Sequence, residues 1–396
     1  MRGGVGKTAS DTGHTKGNTR DTESKKPGRC LSSATHASAG GKDLQPTNGA
    51  FQQQPTRHPA IYHCVNRVVD RRFVFGEREK DRFVELMRMY EVFTGIRVLA
   101  YCVMSNHFHL MLEITPMPDG GLSDADLLNR LAAIHDDAVV DAVEIEIENA
   151  RIAIAEGRAN ENRIDEIHLR YTYRMHDLSE FMKSLVQRFT QWYNRSHNRR
   201  GNLWEDAFRS TVVAPGTATR LVAAYIDLNP VRAGLVEDPA NYPWCSYGEA
   251  SAADRGKKPD PASLIARAGL VRAFFIHQQT ATTTKSWKDC HGIYRPWIEQ
   301  AMTKARAMRS GKPIPAAYSA TTGGALLSRI RHFTDGVAIG DRGFLEDFFK
   351  SQRPRFGTKR TTGARPIRGY AAGLAQKESL WSLRDLQRNI GPEQAT

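Results

Sequence analysis

The chain has 396 residues, of which 40% are hydrophobic and 25% charged, with a formal net charge of +13. No apolar run approaches the roughly eighteen residues of a membrane-spanning helix, so a membrane partner is excluded. The basic N-terminus lacks the apolar stretch of a secretory signal. The positive charge favours a polyanionic partner such as nucleic acid, because Lys and Arg neutralise phosphates.

The five cysteines are odd in number and widely spaced, which fits neither a CxxC zinc site nor a disulfide framework. They predict a reducing, cytoplasmic compartment. They are Cys30, Cys64, Cys102, Cys245 and Cys290.

The N-terminal residues 1–56 are rich in Gly, Ser, Thr, Lys and Gln, and this composition predicts a disordered basic tail. The stretch GGVGKT at 3–8 is similar to part of a phosphate-binding loop. Met1 stands where that loop needs its first glycine, and no strand can precede it. We therefore assign it no nucleotide site.

Residues 57–250 read as one domain of alternating strands and helices, for which the resemblance described below implies a catalytic role. Apolar periodicity predicts strands at 61–67, 97–105, 107–114 and within 201–213, and helices at 77–93, 178–194 and 217–228. This order predicts an α+β fold, with a ferredoxin-like antiparallel sheet backed by helices.

Two segments lie outside that pattern. From 118 to 170 there are thirteen Asp or Glu and five Arg, and the heptad-like Val139, Val143, Ile147 and Ile154 predict an inserted helical hairpin over 116–172. We expect it to be a solvated or partner-facing appendage. The C-terminal extension, 251–396, is predicted to be mainly helical, with short helices at 325–334 and 343–350 and a basic tail at 350–368.

The motif His107-Phe108-His109 lies on a predicted strand. Residues i and i+2 of a strand point to one face, so the two imidazoles can supply two nitrogen ligands to one metal ion. The alternative is a merely polar strand face.

The motif YIDLNP, residues 225–230, ends the last predicted helix. Tyr225 and Asn229 are four residues apart and therefore share a helix face. A tyrosine hydroxyl becomes a competent nucleophile beside a metal ion that neutralises developing charge. The alternative is a core aromatic followed by a helix-capping Asn before Pro230.

In combination, HFHLML, YIDLNPVRAG, GNLWEDAFRS and YPWCSY resemble the HUH single-tyrosine transposases of bacterial insertion sequences. The likeness is greatest to the branch associated with repetitive extragenic palindromes, to which YHCVNR followed by RRFVF is also similar. It covers roughly residues 57–250 without the insert.

This resemblance implies a role for each matching residue. His107, His109 and Asn229 would hold Mg²⁺ or Mn²⁺. Tyr225 would attack a phosphodiester of single-stranded, hairpin-forming DNA, leaving a 5′-phosphotyrosine and a free 3′-hydroxyl. The rival nucleophile is Tyr193, whose helix neighbour Phe189 favours a packing role. The protein is expected to be a monomer or a homodimer.

Arginines and one tryptophan beside these segments predict a DNA-binding groove, in which the indole would stack on an unpaired base. They are Arg67, Arg71, Arg72, Arg199, Arg200, Arg209 and Trp204. One departure from the family pattern is Ala207, where an arginine is common.

Two other functions compete with the transposase. The first is a non-catalytic nucleic-acid-binding protein that retains the fold. The second is a zinc hydrolase, which needs a third His, Asp or Glu ligand and a carboxylate base, for which Glu113 is the nearest candidate.

Overall fold

The computed structural model describes residues 60–255, 260–276, 285–313, 326–327, 331–356, 360–361, 363–367 and 380–384. The predicted disordered tail at 1–56 lies outside these ranges, as do parts of the predicted helix at 325–334 and of the basic tail at 350–368.

A single seven-stranded sheet organises the described residues. Its strands are β1 (Ala60–Arg67), β2 (Arg97–Val103), β3 (His107–Ile114), β4 (Arg209–Val213), β5 (Ala338–Gly340), β6 (Ala364–Pro366) and β7 (Trp381–Leu383). Their order is β2-β3-β1-β4-β5-β7-β6, and every neighbouring pair is antiparallel except β4 and β5.

The helices lie around this sheet, and no helix in the described ranges is long and apolar enough to cross a membrane. They are α1 (Glu77–Thr94), α2 (Asp124–Ala132), α3 (Asp137–Ala155), α4 (Arg163–Thr172), α5 (Leu178–Ser196), α6 (Thr217–Asp227), α7 (Asn229–Arg232), α8 (Ser246–Ser251), α9 (Pro261–Phe275), α10 (Trp287–Arg309), α11 (Arg331–Asp335) and α12 (Arg342–Ser351). The first four strands with α1 and α5 follow the β-α-β-β-α-β order of ferredoxin-like folds, so the predicted α+β class is confirmed.

The two faces of the sheet carry separate cores. On the face that we call the α1 face, Phe108, Leu110 and Leu112 pack in one cluster with side chains of α1 and α5. On the opposite α6 face, Met111 and Ile61 pack with α6, α9 and α10. Since strand side chains alternate, the register of β3 decides which residues meet α6.

The insert differs from the prediction in two ways. It contains three helices, α2 to α4, where the sequence predicted a hairpin of two. It is also not a detached appendage, because Leu127, Leu131 and Ile147 are buried in the core of the α1 face. Only part of the predicted heptad pattern faces the core: Val143 and Ile147 are buried, while Val139 is exposed.

The C-terminal extension also contains more than the sequence predicted. The long helix α10 carries Pro296 within it and was missed, as was α9. Strands β5, β6 and β7 have three residues each, too few to show a period-2 pattern, yet they add three members to the sheet. The extension is therefore helical with a strand-forming part.

Asp227 anchors α6 to two other helices. Its buried carboxylate accepts hydrogen bonds from Ser246 Oγ (2.7 Å), the Tyr247 N–H (3.0 Å) and Tyr294 Oη (2.6 Å). Burial raises the pKa of this carboxyl to about 6, and the three donors limit the rise. The helix that carries Tyr225 is thus fixed to α8 and α10.

The ionisation of Asp227 makes a testable contribution to stability. Because its folded pKa lies above the ordinary 3.8, this group favours the folded state below pH 3.8, and that contribution is lost as the pH rises through about 6. Asp227→Asn cannot ionise. We expect urea denaturation to show the free energy of unfolding of the wild type falling relative to the variant by up to about 3 kcal/mol between those pH values. Parallel pH curves for the two proteins would contradict this.

Candidate active site

The paired histidines lie side by side on the α6 face. The rings of His107 and His109 are 5.1 Å apart between centroids, while the intervening Phe108 is buried on the opposite face. His109 is buried and His107 is half-buried at the start of β3. Register places Arg67 opposite His107 on β1.

A third histidine, His63, joins them from β1. Its ring lies beside that of His109, edge to edge, with 5.2 Å between centroids and an interplanar angle of 17°. His63 Nε2 lies 3.0 Å from His109 Nδ1, and His63 Nδ1 lies 2.7 Å from the Phe333 carbonyl oxygen. The sequence analysis missed His63, because nothing local in YHCVNR indicates that its ring meets His109, which is two residues from its direct partner Met111 on β3.

The environment keeps the imidazoles of His63 and His109 neutral at physiological pH. Burial lowers the pKa of His63 to about 4; the bond to the Phe333 carbonyl opposes this, and the charge of Arg232 adds to it. Burial also holds the pKa of His109 well below its usual value, helped by His107, His63 and nearby arginines. A neutral imidazole retains the lone pair that a metal ion requires.

Helix α6 brings Tyr225 to the same place. The phenol ring stands edge-on to His109 at 6.1 Å and to His63 at 6.3 Å between centroids, and 3% of the residue is exposed. The rival Tyr193 lies on α5, packs against the core of the opposite face and stacks on His197 at 4.2 Å. Geometry therefore groups Tyr225 with the histidines.

Asn229 follows Tyr225 by one helical turn, and its side chain already forms hydrogen bonds within the protein. Its Nδ2 donates to the carbonyls of Tyr225 (3.3 Å) and Ile226 (3.0 Å), and its Oδ1 accepts from Arg232 Nη2. An amide oxygen has two lone pairs, so one stays available for a metal ion. The donor set of two imidazoles and this oxygen fits a divalent cation.

Arg232, which the sequence analysis also missed, contacts both Tyr225 and Asn229. Its guanidinium lies 3.8 Å from the centroid of the Tyr225 ring. Its Nη1 donates to the carbonyls of Tyr225 (3.0 Å) and Leu326 (3.2 Å). The only advance signal was its place in YIDLNPVR, one turn after Asn229.

Three of the predicted DNA-binding arginines share one cavity. Arg67, Arg71 and Arg209 line an open cavity of about 300 Å³, together with Glu205, Asp206 and Asp335. Ala207, the departure from the family pattern, lines it too. The cavity is continuous with the α6 face, because Arg67 and Arg209 occupy that face by register.

The remaining predicted contacts are differently placed. Arg72 and Arg199 line a smaller cavity of about 90 Å³ that also includes Tyr193. Arg199 donates to the Asn194 side chain and to the Asn202 carbonyl, so it organises the loop before Trp204. Arg200 is exposed.

The structure contradicts the proposed role of Trp204 in base stacking. Its indole is buried among Phe75, Phe108 and Phe189, and its Nε1 donates to Thr190 Oγ1 at 2.8 Å. Only 5% of Trp204 is exposed, so its ring is not available to stack on an unpaired base.

The residues required by a zinc hydrolase are not assembled. Glu113 is fully buried and forms ion pairs with Arg272 (2.7 Å) and Arg97 (3.4 Å). Within the described ranges, no three His, Cys, Asp or Glu side chains are grouped so that they could hold a metal ion. Glu113 is a structural carboxylate that links β3 to α9.

The role of Arg232 as a brace can be measured by stability. Arg232→Lys keeps the charge but cannot reach Asn229 Oδ1 and two carbonyls at once, so we expect the free energy of unfolding to fall by about 1–3 kcal/mol. The matched change Arg200→Lys, at an exposed position, should alter it by less than about 0.5 kcal/mol. Equal urea midpoints for the two variants would refute the bracing role.

One comparison with known proteins matches the segment of the chain that contains these histidines. Residues 56–119, which contain β1, α1, β2, β3 and all three histidines, match the family described as "Transposase IS200 like". No curated protein matches the chain. A solved structure of a REP-associated tyrosine transposase bound to a REP hairpin matches with 12% identity over 54% of this chain and 88% of that chain, at a TM-score of 0.31. Residues 56–119 of this chain are therefore similar to the IS200-like transposases.

Proposed function

We propose that this transposase cleaves and rejoins single-stranded, hairpin-forming DNA through a 5′-phosphotyrosine on Tyr225, with a divalent metal ion. The observation that carries the proposal is the position of the Tyr225 ring, 6.1 Å from the buried His109 ring and 3.8 Å from the Arg232 guanidinium. A potential nucleophile, two candidate metal ligands and a fixed cation thus lie close together on one face of the sheet.

The metal ion is expected to be Mg²⁺ or Mn²⁺, held by His107, His109 and the second lone pair of Asn229 Oδ1. When bound, it would polarise the scissile phosphate. The guanidinium of Arg232 favours the negative charge that develops on the phenol oxygen of Tyr225. The arginines of the 300 Å³ cavity would hold the DNA backbone next to it.

The reaction conserves the phosphodiester bond energy. The Tyr225 oxygen forms a bond to phosphorus, the bond from phosphorus to the 3′ oxygen breaks, and the phenol proton is lost while the 3′ oxygen gains one. A 3′-hydroxyl can later attack the phosphotyrosine, which restores Tyr225 and joins DNA without ATP. Because only 3% of Tyr225 is exposed, the side chains around it must shift when DNA binds.

The nucleophile can be identified with labelled single-stranded hairpins from the flanks of the gene and Mg²⁺ or Mn²⁺. We expect a covalent protein–DNA adduct with the wild type and with Tyr193→Phe, and none with Tyr225→Phe. Both changes remove one hydroxyl and retain the ring, so packing against His109 or His197 is kept.

The same experiment separates the alternatives. Loss of the adduct only in Tyr193→Phe would assign the chemistry to the other face of the sheet. Hairpin binding without any adduct in the wild type would favour a non-catalytic nucleic-acid-binding protein that keeps the transposase fold.

The metal ligands can be tested by depletion and return of the ion. EDTA should abolish adduct formation, and Mn²⁺ should restore it in the wild type. In His107→Ala, we expect the restored rate to stay lower on the order of 100-fold, because a ligand is missing. His197→Ala, which alters a histidine on the opposite face, is the control and should recover fully. Full recovery by His107→Ala would remove this residue from the metal site.

A further inference from the structure

We infer that His63 is a positioning residue of the metal site, which fixes His109 in the tautomer whose Nε2 carries the lone pair. The inference rests on the proposed function, since it concerns the metal ligand His109. It starts from a chain of two short hydrogen bonds that runs from the Phe333 carbonyl through His63 to His109.

The direction of each bond follows from the last acceptor. A carbonyl oxygen only accepts, so His63 Nδ1 must donate to the Phe333 oxygen at 2.7 Å. A neutral imidazole has one N–H, so His63 Nε2 must accept. Its partner, at 3.0 Å, is His109 Nδ1, which therefore donates. His109 is left with its lone pair on Nε2, the nitrogen away from His63.

The tautomer of His107, the other candidate ligand, is fixed in the same way. Asn106 Nδ2 donates to the Arg71 carbonyl at 3.0 Å, which turns its Oδ1 towards His107. His107 Nδ1 lies 2.7 Å from that oxygen and donates to it. Both histidines thus carry the lone pair on Nε2, and each chain ends on a backbone carbonyl whose position the fold determines.

Packing makes His63 specific for this task. His63 is 1% exposed, and its ring lies beside that of His109 and edge-on to that of Tyr225. This packing restricts the orientation of the imidazole. Residues that bond the second nitrogen of a metal-binding histidine set its tautomer and orientation, and their loss typically lowers metal affinity by about 10–100-fold.

The direct test is NMR of the full chain with ¹⁵N-labelled histidine, without metal or DNA. In the wild type, both His63 and His109 should show the tautomer protonated on Nδ1. In His63→Leu, His109 should shift towards the Nε2-protonated form. Mn²⁺ affinity, followed by the EPR signal of the free ion, should fall by about 10–100-fold. His63→Gln, which retains an acceptor, should lose less.

The control is His168→Leu, which removes a partly buried histidine bonded to Asp124 in the insert. It should change neither His109 nor Mn²⁺ affinity. An Nε2-protonated His109 in the wild type would overturn the proposal, and this reading does not depend on whether a variant folds. So would a folded His63→Leu protein with unchanged tautomer and affinity, or EPR evidence that His63 itself binds Mn²⁺.

These outcomes are distinct from failure of the proposed function. A wild type that binds no Mn²⁺ and forms no adduct would refute the metal-dependent nuclease. The tautomer of His109 and its dependence on His63 would still be read from the metal-free spectra.

Discussion

The pairing of β1 with β3 is the constraint on which the candidate site depends. It sets Arg67 opposite His107, Val65 opposite His109 and His63 opposite Met111. A slip of one residue would turn the imidazoles into the core of the α1 face and expose Phe108 to α6. Phe108, Leu110 and Leu112 of HFHLML pack in the core of the α1 face, so such a slip would cost the free energy of their burial. The hydrophobic effect thus fixes the position of polar groups that it does not itself stabilise.

The residues of the motif YIDLNPVR, 225–232, make different contacts within about two helical turns. Tyr225 faces the histidines, whereas Asp227 points the other way and bonds to α8 and α10. Asn229 and Arg232 then close the helix end by bonding to its carbonyls and to each other. A side chain at the end of a short helix, such as that of Tyr225, would otherwise be subject to fraying. Here the buried carboxylate of Asp227 and the guanidinium of Arg232 hold this helix end in place.

The sequence predicted the elements with long periodic patterns and the residues whose chemistry is local. The strands around His107 and the helix ending at Tyr225 belong to that group. It could not reveal His63 or Arg232, because their importance comes from pairing across the sheet and from a contact with Leu326. It misassigned Trp204, since an aromatic near arginines looks the same in sequence whether it faces DNA or the core. The three-residue strands had no periodicity to detect.

The Phe333 carbonyl lies 270 residues after His63 in the chain, although their atoms are 2.7 Å apart. During synthesis at roughly 5–20 residues per second, the interval between the two is on the order of tens of seconds. For that time β1, β3 and even α6 exist without the acceptor that orients the histidine pair. The nascent protein therefore cannot complete the hydrogen bonds of the candidate site until Phe333 has been synthesised, however quickly the sheet itself forms.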